Sequence, residues 1–235
     1  MTNSLNNLLQ QFKGTFITAP HELQEKLTKI KAYIFDWDGV FNNGKKEDNG
    51  SSSFNEIDAM GTNLLRFHHY LRTGTIPQFI IISGENNHAA RTLALREHYQ
   101  AVYTGVKFKT QALEHVCKEQ NISPHEVAFV FDDVLDFSVA KTVGVRIMIG
   151  REANPLLNGF AVQENLVDYI THHDGNNHAV REAIELMMGL AGNYDRTISE
   201  RMNYTETYQQ YLQLRNQPEP QFYTSQHSII TALSL

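Results

Sequence analysis

At 235 residues, with 41% hydrophobic and 20% charged residues, the chain has the make-up of a folded domain with a substantial core, which excludes disorder throughout. A net charge of −6 without a long basic run argues against a nucleic-acid partner, and the single cysteine, Cys117, excludes an intrachain disulfide and fits a reducing compartment. No apolar run approaches a membrane span, and the start MTNSLNNLLQQFKG lacks the features of a secretory signal, so a cytoplasmic location is expected.

In chain order, residues 1–30 read as a helical lead-in. Residues 32–35 follow as a buried strand that runs into IFDWDGVF. The polar stretch at 42–55, NNGKKEDNGSSSFN, holds Asn49-Gly50, the strongest short turn signal in the chain, and predicts a small β-hairpin after the first strand. Leu64, Leu65, Phe67 and Leu71 have helical spacing, and so do Phe108, Ala112, Leu113, Val116 and Cys117. Residues 79–82, 101–103, 127–131 and 145–149 read as further strands, without the alternation of a half-exposed sheet. Val180, Ala183, Ile184, Met187 and Met188 form the cleanest amphipathic stripe, expected in the core or at a subunit interface. A helix over about 195–214 and a tail after Pro218 complete the chain. Strands alternating with helices imply an α/β, doubly wound, mostly parallel Rossmann-like sheet with helices on both faces. The organisation expected is a lead-in (1–30), a core (31–192, hairpin about 42–55) and a helical extension with tail (193–235).

In such sheets ligands bind at the carboxyl ends of strands. Asp36 and Asp38 lie at the first of these ends, Ser83-Gly84 at the second, Lys107 and Lys109 beyond the third, and Asp132, Asp133 and Asp136 at the fourth. Carboxylates gathered there repel: two unit charges about 4 Å apart cost roughly 4 kcal/mol at an effective dielectric near 20. An all-oxygen cluster of this kind suits Mg²⁺, which keeps waters and a substrate phosphate among its ligands. Lysine and serine add donors for the same phosphate. The chemistry this favours is phosphoryl transfer, one carboxylate attacking phosphorus and the other moving the proton, with Gly39 letting the chain leave the strand tightly. The histidine pairs at 68–69 and 172–173 lack a second ligand at useful spacing and read as structural.

The order Asp-x-Asp-Gly-Val, Ser-Gly, Lys, Asp-Asp-x-x-Asp resembles the haloacid-dehalogenase superfamily of phosphatases. FDWDGVFNNG, FNEIDAMGTNLL, IIISG, YTGVKFK, FDDVLDFSVAKTVGV and HAVREAIELM are most similar to its small-cap 3-deoxy-D-manno-octulosonate 8-phosphate phosphatase family. The resemblance implies that Asp36 is the nucleophile, Asp38 the acid/base, and Ser83, Gly84 and Lys109 the phosphate grip. It implies Mg²⁺ bound by Asp36, the Asp38 carbonyl and Asp132, with Asp133 and Asp136 in support. It further implies a small-molecule phosphate ester as substrate and a homo-oligomer, a tetramer foremost, since the intervals between motifs leave no room for a separate cap domain. Arg181 would then either reach a neighbouring subunit or pair with Glu185. The chain departs from the family pattern at Phe131, Asn43 and Glu85, where relatives have glycine, aspartate and often arginine. Glu85 predicts poor turnover of the sugar-acid phosphate itself, and Phe131 with Asn43 raises the alternative of an inactive relative serving as a binding or assembly module.

Overall fold

The computed structural model describes residues 7–233. Nine strands form one sheet in the order β1-β7-β6-β5-β2-β3-β4-β8-β9. They are β1 (Thr15–Phe16), β2 (Ala32–Phe35), β3 (Gln78–Ile82), β4 (Ala101–Thr104), β5 (Val127–Phe131), β6 (Val145–Met148), β7 (Tyr169–Ile170), β8 (Gln221–Gln226) and β9 (Ile229–Ala232). Every pairing is parallel except the two outermost, β1 on β7 and β9 on β8. The helices are α1 (Pro20–Leu27), α2 (Glu56–Thr73), α3 (His88–Glu97), α4 (Lys109–Gln120), α5 (Phe137–Ala140), α6 (Pro155–Gln163), α7 (Ala179–Ala191), α8 (Tyr194–Met202) and α9 (Glu206–Arg215).

The expected α/β architecture follows from strand side chains that are apolar on both faces. Tyr33, Phe35, Phe79, Ile81, Val102 and Val130 pack on one side with α1, α2, α3 and α7. Their strand neighbours Ile34, Ile80, Ile82, Tyr103, Phe129 and Phe131 pack on the other with α4, α5 and α6. Period-2 alternation thus feeds two cores, which is why the strands read as continuous apolar runs. The Val180–Met188 stripe on α7 is buried in the first of these cores.

β2 pairs with β3 on one side and β5 on the other. The chain winds outward from β2 through β3 and β4, then returns to β2's other edge, so the sheet reverses direction between β2 and β5. Their carboxyl ends flank the crevice that this topology opens.

Three expectations are corrected. Residues 42–55 do not form a β-hairpin: the segment turns at 47–50, with Gly50 N–H donating to the Glu47 carbonyl (2.8 Å) and Glu47 N–H to that of Ser51 (2.8 Å), and no strand pair develops. Residues 43–50 are polar and exposed, Lys46 and Ser52 turn to Asp38, and no apolar face is left to pair strands over. The lead-in is not wholly helical, because β1 joins the sheet edge. The helix expected over 195–214 is two helices, broken where Tyr204 takes a left-handed conformation (φ 49°) and Thr205 caps α9 by accepting from Tyr208 N–H (3.3 Å). The tail after Pro218 then adds β8 to the β4 edge of the sheet.

His68 and His69 are core residues of α2. The His68 ring meets the Gly192 carbonyl at 2.5 Å and the His69 ring the Tyr33 hydroxyl at 3.3 Å, and burial pushes both pKa values down to about 4. No described helix is long and apolar enough to cross a membrane.

Candidate active site

Asp36 leaves β2 with its N–H donating to the Val130 carbonyl of β5, which carries the strand pairing one residue past β2 and fixes the carboxylate over the crevice. Asp132 follows β5, and Asp136 ends the short 3₁₀ turn after it. These three buried carboxylates each offer an oxygen within 4.8 Å of the others. Asp133 begins the turn, accepting from Val134 N–H (2.7 Å), and acts on its geometry as a cap.

Lys109, the first residue of α4, is buried and its Nζ donates to Asp36 (2.6 Å) and Asp136 (2.5 Å). Burial works against this ammonium, yet Asp36 and Asp136 outweigh it and hold its pKa above the ordinary lysine value. Lys107, its rival in the sequence, is exposed and pairs with Glu85 at the rim. Glu85's charge is thereby offset, which weakens the sequence-based case against an acidic substrate. Arg151 Nη2 donates to Asp132 Oδ2 at 2.7 Å.

Three carboxylates with one lysine and one arginine remain under-compensated. Burial, then repulsion from Asp36, pushes Asp132 up to about 8 and Asp136 up to about 7, with Asp136 adding to the rise at Asp132. Oxygen-only donors, buried, clustered and short of positive charge are the set a hard divalent ion takes, and they fit Mg²⁺. Adding Mg²⁺ should therefore raise the melting temperature by several degrees, since a ligand at a hundred times its Kd adds about 2.7 kcal/mol. Differential scanning fluorimetry checks this, and Asp132→Asn should remove most of the shift.

The Asp38 carboxylate lies outside that cluster. Oδ2 accepts from Asn87 Nδ2 (2.8 Å) and pairs with Lys46 Nζ (2.6 Å), while Oδ1 accepts from the Ser52 hydroxyl. Ser83, fully buried at the end of β3, accepts at Oγ from Asn87 Nδ2 (2.8 Å) and Glu85 N–H (3.2 Å). Gly84 lines the cavity beside Glu85. The cavity holds about 500 Å³ and is lined by Asp36, Asp38, Asn43, Gly84, Lys109 and Asp132 among others.

Phe131 does not narrow it. Its ring points to the opposite side, stacked on Phe129 at 5.2 Å and edge-on to Phe137. Asn43 accepts from Lys45 N–H (2.9 Å) in the turn after Phe41. Arg181 pairs with Glu185 at 2.8 Å on α7, the local alternative.

Sequence reasoning missed Arg151, Asn87, Ser52 and Lys46. Arg151 was findable, because it follows β6, a strand whose carboxyl end opens on the same crevice. The other three lie in polar stretches without periodicity, where only the folded chain shows what they touch.

No family model matches the chain. The 3-deoxy-D-manno-octulosonate 8-phosphate phosphatase KdsC of Salmonella typhimurium is 29% identical over 181 residues, spanning 75% of this chain and 88% of that protein. Its counterpart in Escherichia coli K12 is 29% identical over 174 residues, spanning 72% and 85%. Among solved structures, a Legionella pneumophila protein described as a subfamily III A hydrolase of the haloacid-dehalogenase superfamily superposes with a TM-score of 0.64 at 26% identity, over 77% of this chain and 94% of that one. The 3-deoxy-D-manno-octulosonate 8-phosphate phosphatase of Moraxella catarrhalis, solved with magnesium, phosphate and the sugar acid, gives 0.62 at 25% identity, over 77% and 98%. The resemblance read from the sequence holds: the relatives are phosphate-monoester hydrolases of the haloacid-dehalogenase type, and this chain shares their fold.

Proposed function

We propose that the protein is a Mg²⁺-dependent phosphomonoesterase that hydrolyses a small sugar or sugar-acid phosphate through an aspartyl-phosphate. The observation that carries this reading is the placement of the Asp36 carboxylate: buried at the sheet's reversal point, clustered with Asp132 and Asp136, and touched by Lys109. Asp36 attacks phosphorus, forming a carboxyl–phosphorus bond as the bond to the leaving oxygen breaks. Asp38 gives its proton to that oxygen, then takes one from the water that hydrolyses the acyl phosphate, returning Asp36 as carboxylate and releasing inorganic phosphate. Lys109, Ser83 and the Gly84 backbone hold the phosphoryl oxygens, and Asp133 braces the turn carrying Asp136. Asp36, Asp132 and the Asp38 carbonyl would hold Mg²⁺, with Asp136 in support, and the bound ion neutralises charge on the transferred group.

The rival reading, an inactive binding module, rested on Phe131 and Asn43. The Phe131 ring lies in the core, and Asn43 lines the cavity while its Oδ1 accepts from Lys45 N–H in the turn, so neither blocks the carboxylates and the balance favours the enzyme. Among the described residues no separate cap domain covers the cavity mouth, and closure by neighbouring copies in a homotetramer is part of the proposal. Its test is phosphate release in Mg²⁺ from a panel of sugar phosphates, the 3-deoxy-D-manno-octulosonate ester included, beside light scattering. Turnover is expected to be highest on sugar or sugar-acid esters. A preference for nucleotides would overturn the substrate class, and a monomer at micromolar concentration would remove the tetramer.

A further inference from the structure

We infer that Lys46, acting with Ser52 and Asn87, is a positioning residue for Asp38, so that the 45–53 loop controls proton transfer to the leaving group. The inference rests on the reading of Asp38 as the acid/base. Asn87 immediately precedes α3, where an asparagine ordinarily accepts from the helix's first N–H groups, yet its side chain makes no such cap. Buried completely, it donates instead to Asp38 and Ser83, while its Oδ1 accepts from Ser52 N–H (3.2 Å) and Lys46 Nζ (3.4 Å). A good helix cap has been given up to join the second strand end, the acid/base and the loop.

The loop supplies the other two contacts. Ser52 takes Asp38 Oδ1, and its own carbonyl accepts from the buried Trp37 indole (3.1 Å), while the Ser53 carbonyl accepts from Asn42 (3.0 Å). Lys46 reaches Asp38 Oδ2 at 2.6 Å from the partly exposed side. Both oxygens are therefore held, and the carboxylate has one orientation with respect to Asp36. As a proton passes from Asp38 to the leaving oxygen, negative charge grows on a group whose partner ammonium is already in place. A lysine serving only as a surface ion pair would contribute little, and equally for every ester.

The leaving group discriminates. p-Nitrophenolate departs without much help, whereas phenolate, about as basic as a tyrosine side chain with pKa ~10, needs the proton. Lys46→Met should lower kcat/KM on phenyl phosphate about tenfold more than on p-nitrophenyl phosphate, and Lys46→Arg should recover most of the difference. Asp38→Asn, measured alongside, should show the same selectivity more steeply, on the order of 10²-fold. Equal losses on both esters in Lys46→Met, with Asp38→Asn still selective, would overturn the inference alone. No selectivity in Asp38→Asn would overturn the reading of Asp38 beneath it. Lys46 is partly exposed, so its replacement leaves the core packing intact.

Discussion

Asp36→Asn is expected to reduce Mg²⁺-dependent phosphate release by at least ~10³-fold, the scale on which removal of a covalent nucleophile acts. The amide matches the carboxylate in size and still receives the Lys109 hydrogen bond, so the buried site stays packed. It cannot attack phosphorus, and it weakens the oxygen set offered to the ion. Circular dichroism should report an unchanged fold, and the melting temperature in EDTA should change little, since Asp36 both attracts Lys109 and repels Asp132 and Asp136. Activity within tenfold of the wild type would show that another group is the nucleophile.

Gly39→Ala carries the second large effect. Gly39 sits at φ +86°, a conformation costing roughly 1–2 kcal/mol for any residue with a Cβ. A methyl there would also collide with Asp132 Oδ2 and come within 2.6 Å of Arg151 Nη2. Asp132 must move, and displacements of about 1 Å can cost 10²-fold in rate. The expected result is a loss of about 2 kcal/mol in stability by urea unfolding and a 10²-fold loss in phosphate release. Gly50→Ala is the control: its φ is +76° but nothing lies within 4 Å of the added methyl, so it should lose some stability and keep its activity. Equal behaviour of the two variants would mean that Gly39 serves only the backbone turn.

The sheet was legible because each strand is covered on both faces, which turns burial into uninterrupted runs such as Phe79–Ile81 and Val127–Phe131. The crevice followed from topology, since a strand paired on both edges by later strands leaves its carboxyl end at a reversal. Asp36 and Asp132 could be placed together on those grounds, whereas Lys109 was separated from Lys107 only by the family resemblance. Asp38 could not be placed beyond the turn, because its partners Ser52, Asn87 and Lys46 come from segments with no periodic pattern. The missing hairpin has a similar cause. Asn49-Gly50 does mark a reversal, but a turn signal says nothing of the flanking residues: the Ser51 carbonyl accepts from Glu47 N–H within the turn, the Ser52 hydroxyl goes to Asp38, and the Ser52 and Ser53 carbonyls accept from Trp37 and Asn42. Beyond Gly192, α8 and α9 are separated at 203–205, where Tyr204 takes a left-handed conformation that local propensity does not favour and Thr205 is extended. The β8 strand was invisible for the opposite reason: Gln221, Thr224 and Ser225 lack the apolar character that made the central strands readable, and β8 is held by pairing with β4.

The most direct measurement is a rapid quench of the wild-type protein turning over p-nitrophenyl phosphate in Mg²⁺, with borohydride trapping and peptide mass spectrometry. Reduction of the acyl phosphate should release phosphate and leave homoserine in place of Asp36, a change absent in EDTA. Phosphate release with Asp36 unchanged, or homoserine at a different aspartate, would contradict the aspartyl-phosphate route through Asp36.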